Sequence, residues 1–328
     1  MKKFRRVLVA VKDPRARSSA AISKGAAVAR ATGASIELFH GITEVIPVEP
    51  FTYGKRKLAD VENEIRAGHL AALERSARRL RESGLSVSIA TEWDFPSHEA
   101  IVRRAIRTKA DIIVAGQHQG WRTLPWLLHL TDWELLRLSP IPVLLVKSSR
   151  AYRRPVVLAA LDPAHSFAKT ARLDEEILGA ADMVADALGG TLHAMHAYFP
   201  GLGIPMGPEF SGSGVLAEVS LEAEDEASES FARELRNRNI ARSRQHLVES
   251  QAIDAIPRVA RRIRAAIVVM GAVSRSGLRR AFIGNTAERV LDRLSCDVLA
   301  VRPPGFRSSI LRARRGVRIV ASAPLPSY

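Results

Sequence analysis

One feature constrains this chain more than any other: it repeats itself once. The stretch Ala110-Asp111-Ile112-Ile113-Val114-Ala115-Gly116 corresponds to Ala265-Ala266-Ile267-Val268-Val269-Met270-Gly271. The same offset of 155 residues pairs Thr131 with Thr286 and Val143 with Val298. A constant offset over such a span means one ungapped unit present twice, and a long repeat has to be recognised before any fold is argued. At 328 residues the chain has room for two domains that each bury a core. The polar and basic stretch from Ser148 to Arg154 lies between two apolar runs. The expected organisation is therefore a first domain over 1–149, a second over 150–303, and a basic tail over 304–328.

Each half opens on a short continuous apolar run ended by a turn signal. These are Val7 to Val11 before Lys12-Asp13-Pro14, and Pro155 to Leu161 before Asp162-Pro163. Runs of this kind suit central parallel strands covered on both faces. Second strands follow at Gly33 to His40 and Gly189 to His196. Between the strands, Leu70, Leu73, Ala77 and Leu80 recur at helical spacing, as do Ile256, Val259, Ala260 and Ile263. Alternating strands and helices predict an α/β fold, two tandem doubly wound domains with ligand sites outside the carboxyl ends of the strands. The Gly/Pro-rich stretch between Pro200 and Gly214 reads as a lid or an insertion at that edge of the second sheet. An acidic helical stretch around Glu222–Glu229 follows it.

Composition narrows the class of protein. Hydrophobic residues at 47% and charged residues at 25% are ordinary for a globular chain. No apolar run approaches the roughly 20 residues of a membrane span, and the basic N-terminus leads into an apolar stretch too short for a secretory signal. The lone Cys296 excludes an intramolecular disulfide and fits a reducing, cytoplasmic setting; beside Val298 to Val301 it reads as a buried small hydrophobe. The net charge is +15, and six arginines with no acid lie between Arg302 and Tyr328. Such a segment is most often a solvated or weakly anchored terminus, with polyanion binding as its functional alternative.

One stretch carries chemistry. Behind the strand ending at Gly271 the chain runs through Ser274 and Gly277 to Gly284-Asn285-Thr286 and then a helical pattern. Glycine admits an oxyanion close to the backbone, a helix N-terminus offers free N–H groups and a positive dipole end, and Asn285 or Thr286 adds a side-chain donor. The plain alternative is a helix N-cap, because Asn and Thr are favoured there.

The pattern resembles the universal stress protein family, whose nucleotide-binding members carry Gly, two residues, Gly, nine residues, then Gly followed by Ser or Thr. Gly271 matches the first position, Ser274 stands where the second glycine belongs, and Gly284 matches the third. Asn285 holds the hydroxyl position, with Thr286 beside it. Asp162 falls where the family places an aspartate near the adenosine part of the ligand. The similarity spans both halves and points to the tandem-domain subgroup. It implies five-stranded parallel sheets of the adenine-nucleotide α-hydrolase type, the two domains paired within one chain. ATP or a related adenine nucleotide, with or without Mg, would be held in the second domain. In the first domain the same offset puts Gln119 opposite Ser274, His129 opposite Gly284 and Leu130 opposite Asn285. Bulky Trp121 to Leu128 intervene, so the family motif there is degenerate.

Neither a nucleophile elbow, a zinc-protease signature nor a complete Walker loop is present, and no catalytic or metal-ligating residue is named. His193 and His196 are expected on opposite faces of one strand. The leading expectation is a stress-response regulatory module binding nucleotide and unnamed protein partners, without a membrane span. A ligand-free scaffold, a slow ATPase and a polyanion binder acting through the tail remain as alternatives, and a homodimer of whole chains is left open.

Overall fold

The computed structural model describes residues 3–48, 57–117, 130–163, 172–200, 213–272 and 285–321; for residues 47, 48, 130–132, 213–220, 285, 286 and 318–321 it describes the backbone alone. The chain divides into two compact units: Phe4–Ser149 together with the described tail from Arg307, and Arg150–Phe306.

In the first unit the elements are β1 (Arg6–Ala10), α1 (Ala20–Thr32), β2 (Ser35–Ile42), β3 (Val45–Val48), α2 (Leu58–Glu82), β4 (Val87–Trp93), α3 (Ser97–Thr108), β5 (Ile112–Gly116), α4 (Leu130–Leu138) and β6 (Val143–Val146). Five strands form a parallel sheet in the order β4-β2-β1-β5-β6. Val7, Leu8 and Val9 of β1 and Ile112, Ile113 and Val114 of β5 are all at most 1% exposed. These unbroken apolar runs are what a strand needs when helices cover both of its faces. Ser19 caps α1 by accepting the Ile22 N–H, and Gly33, at φ 71°, turns the chain out of that helix. The glycine that opens the expected second strand is thus a helix cap, and the strand itself begins at Ser35.

The second unit repeats the plan with β7 (Val156–Leu161), α5 (Leu173–Ala187), β8 (Thr191–Tyr198), α6 (Ser213–Leu235), β9 (Gln245–Glu249), α7 (Ala252–Arg262), β10 (Ile267–Gly271), α8 (Asn285–Arg293) and β11 (Asp297–Val301). Its parallel order is β11-β10-β7-β8-β9. The repeat extends to backbone detail. Lys109 after α3 and Arg264 after α7, separated by the same 155 residues, adopt left-handed φ values of 52° and 53°. Non-glycine residues rarely sit there, so the shared turn is a property of the unit and not of the residue. The predicted helical stripes face inward, with Leu73, Ala77, Val259 and Ala260 at most 4% exposed. Cys296 is half-buried, not fully buried as its neighbours suggested.

The tail is exposed over residues 311–315, yet its end is anchored: β12 (Arg318–Ala321) pairs in parallel with β3. Ahead of β12 the Arg315 N–H donates to Asp94 Oδ1 at 2.9 Å and its guanidinium reaches Glu99 at 2.8 Å. Gly316, at φ 77°, makes the turn between these contacts and the strand. Tail arginines thus meet acids of their own unit, which accounts for part of the charge that the composition left open. Among the described residues no helix is long and apolar enough to cross a membrane.

Candidate functional site

A doubly wound sheet opens a crevice where consecutive connections leave in opposite directions. In the second unit the chain runs from β7 outward to β8 and β9, then crosses back to β10 and β11 on the other side. The switch lies between β7 and β10, which pair directly, Val157 with Ile267 and Ala159 with Val269. Asp162 follows the last residue of β7, and Gly271 is the last residue of β10. The crevice therefore gathers two of the predicted site residues at the carboxyl ends of neighbouring strands. As the helix that joins β10 to the parallel β11, α8 begins on the carboxyl side of these strands, with the backbones of Asn285 and Thr286 in its first turn. Ser274 and Gly284 fall outside the described residues, as do the side chains of Asn285 and Thr286.

Two residues that the sequence did not single out fix this crevice. Asp174, 2% exposed in the first turn of α5, accepts the Asp162 N–H on both carboxylate oxygens, at 3.2 and 3.3 Å. A carboxylate is favoured at that position by the positive end of the helix. It ties the turn after β7 to the helix, so half-buried Asp162 is held at the rim of the crevice. Arg302, read from sequence as one of the tail arginines, is 9% exposed at the end of β11. Its guanidinium donates to the carbonyl of Ala272, where the chain leaves β10, and lies over the Phe306 ring at 4.3 Å. Burial pushes its pKa down to about 10, so it remains a cation at neutral pH. No local signal could have found either residue: Asp174 is twelve positions from its partner and Arg302 thirty.

Gly271 has a packing reason for its identity. A Cβ built there would sit 2.6 Å from Leu173 Cδ2 and 3.2 Å from Leu173 Cγ. The space that its missing side chain leaves is occupied by α5. Its part in any site is to let the helix close against the strand end from which the glycine loop departs.

Of the described histidines of the second unit, His193 and His246 pair with each other, and His196 contacts Leu161, next to Asp162. His193 Nδ1 is 2.9 Å from His246 Nε2 with the rings stacked at 5.2 Å, whereas buried His196 places Nδ1 3.3 Å from the Leu161 carbonyl oxygen. Desolvation and the neighbouring cationic groups push His246 down to about 4 and lower His193 as well, so both are neutral near pH 7. Among the described residues no group of three or more His, Cys, Asp or Glu gathers as a metal site. Of the first-unit tryptophans near the degenerate motif, Trp121 and Trp126 lie outside the described residues, and Trp133 is half-buried on α4.

This arrangement defines a pair of doubly wound α/β units with a strand-end crevice in the second. Comparison with known proteins makes the class specific. The model of the universal stress protein family matches residues 3–147 and 173–302, and the chain belongs to that family. It is 27% identical over 329 residues to universal stress protein E of Salmonella typhi, covering 94% of this chain and 98% of that one. Universal stress protein E of Photorhabdus laumondii is 24% identical, with 96% and 100% covered. Among solved structures, a functionally unknown protein of Pseudomonas aeruginosa PAO1 superposes with a TM-score of 0.68 at 27% identity, over 92% of this chain and 93% of that one.

Proposed function

We propose that the second unit binds an adenine nucleotide, ATP or a close relative, and that the chain acts as a stress-response module whose partner surfaces respond to that binding. The observation that carries this reading is that Asp162 and Gly271 stand at the carboxyl ends of neighbouring strands, at the switch between β7 and β10. In this reading Asp162 accepts from a ribose hydroxyl or the base. The turn of α8 offers N–H groups and a positive dipole end to the phosphates, with Asn285 and Thr286 as side-chain donors. Gly284, by the family motif, is the glycine that would admit the phosphates to the backbone, with Ser274 at the second motif position, and Mg2+ accompanies the phosphates as part of the ligand. Arg302, braced on the Ala272 carbonyl, keeps a positive charge beside the start of the loop. The stress role rests on relatives that match 94% and 96% of the chain, named universal stress protein E.

The test is calorimetric titration of Mg-ATP into the wild type, an Asp162→Ala variant and a Gly284→Trp variant. The reading predicts a single saturable site, weakened about tenfold in Asp162→Ala, the loss of one charge-assisted hydrogen bond, and abolished in Gly284→Trp. Titration curves that are the same in all three proteins would remove it.

A further inference from the structure

The first unit holds a second concavity that the nucleotide reading does not use. A cavity of about 740 Å3 opens between α2, the end of β4 and the tail. The residues that matter in its lining are Arg66 on α2, Glu92 and Trp93 on β4, and Arg314 and Val317 on the tail.

Two observations give this lining a chemical preference. First, the charge leans toward cations: Arg66, Arg314 and Arg315 stand against Glu62 and Glu92 in the lining. Glu92 is shared by Arg104, Arg107 and Arg314, the last at 3.7 Å, and Arg315 holds Glu99. Exposed Arg66 adds a guanidinium that has no ion pair among the described residues. Second, the indole N–H of Trp93 donates to the Glu62 carbonyl at 3.3 Å. That bond fixes a flat aromatic surface in the lining, with Val317 as an apolar neighbour.

Guanidinium groups select phosphate or carboxylate, and a fixed indole selects a planar ring. We infer that this cavity binds a small organic anion, a flat ring carrying a phosphate or carboxylate. Because the tail supplies one wall, only the tail-docked form is complete, and ligand binding stabilises that form by mass action.

Phenyl phosphate and benzoate serve as probes in calorimetric titrations of the full chain, with inorganic phosphate and phenol as controls. Saturable binding of either aromatic anion, tighter than both controls, is the expected result, and the two arms tell phosphate from carboxylate. Arg66→Glu, on an exposed helix position, is expected to weaken that binding about tenfold or more with an unchanged circular dichroism spectrum. Gly284→Trp, in the other unit, is expected to leave it unchanged. The inference is overturned if neither probe binds better than the controls, if Arg66→Glu leaves affinity intact, or if Gly284→Trp abolishes binding.

Discussion

Arg103 on α3 and Arg258 on α7 stand 155 residues apart at matching places in the repeat, yet their surroundings are opposite. Arg103 is 4% exposed, bonded to Asp94 at 2.7 and 2.8 Å, to Glu99 at 2.8 Å, and to the Leu311 carbonyl of the tail. Burial works against its charge, but the hydrogen bonds to Asp94 and Glu99 outweigh that and raise its pKa. Arg258 and Glu249, its counterparts, are exposed. The difference teaches what the tail does: by lying over the first unit it turns a surface pair into a buried, fully bonded one. Duplication supplied two equal frameworks, and the halves then diverged over them. One took a docked tail and a cavity, the other a glycine loop at a strand-end crevice.

The largest expected effect tests the buried pair. Asp94→Ala leaves the Arg103 charge buried without its main partner and should destabilise the first unit by about 3–5 kcal/mol in urea denaturation. The counterpart Glu249→Ala should fall within about 0.5 kcal/mol. Equal losses would break the comparison.

The strand-end glycines give a smaller contrast. Gly271→Ala pushes a methyl group against Leu173, itself 1% exposed, and should cost about 1–3 kcal/mol. At Gly116 the corresponding atom meets Ala21 Cβ at 3.8 Å, an ordinary contact. Gly116→Ala should change stability by about 0.5 kcal/mol or less, measured the same way. A Gly271→Ala protein as stable as the wild type would mean that α5 is not packed as tightly against β10 as the contact implies.

A third prediction, smaller again, concerns pH. The edge strand β9 carries His246 where β4, 155 residues earlier, carries Thr91. With a pKa near 4 in the folded chain and about 6.5 unfolded, His246 binds a proton more readily when unfolded. Its contribution is therefore intact above pH 6.5 and lost progressively as pH falls toward 4. Thermal melts across that window should show a decline that His246→Gln flattens. A variant that declines as steeply as the wild type would show that other groups set the acid limit.

Much of the framework was legible in the sequence because buried parallel strands are continuous apolar runs: β1, β5, β7 and β10 could each be read directly. The edge strands β4 and β9 could not. Residues such as Ser88, Glu92 and Glu249 interrupt their apolar pattern, as an edge of half-exposed residues allows. The tail was opaque for a different reason. Arginines read as solvated charge until their acids, Glu92 and Glu99, are brought to them from more than two hundred residues away. In the candidate site, the positions of Asp162 and Gly271 followed from strand ends and turn signals. Asp174 and Arg302 contribute through tertiary contacts that no spacing encodes, and the apolar neighbours of Gly271 conceal that Leu173 fills its missing side chain.

The most direct test of the central claim, that nucleotide binding belongs to the second unit alone, is photolabelling of the intact chain with 8-azido-ATP and Mg2+, followed by peptide mapping. Label that unlabelled ATP competes away, confined to peptides around Asp162 or spanning 272–293, is the predicted result. Competable label in first-unit peptides after β1 or β5, or no competable label in the second unit, would contradict the account.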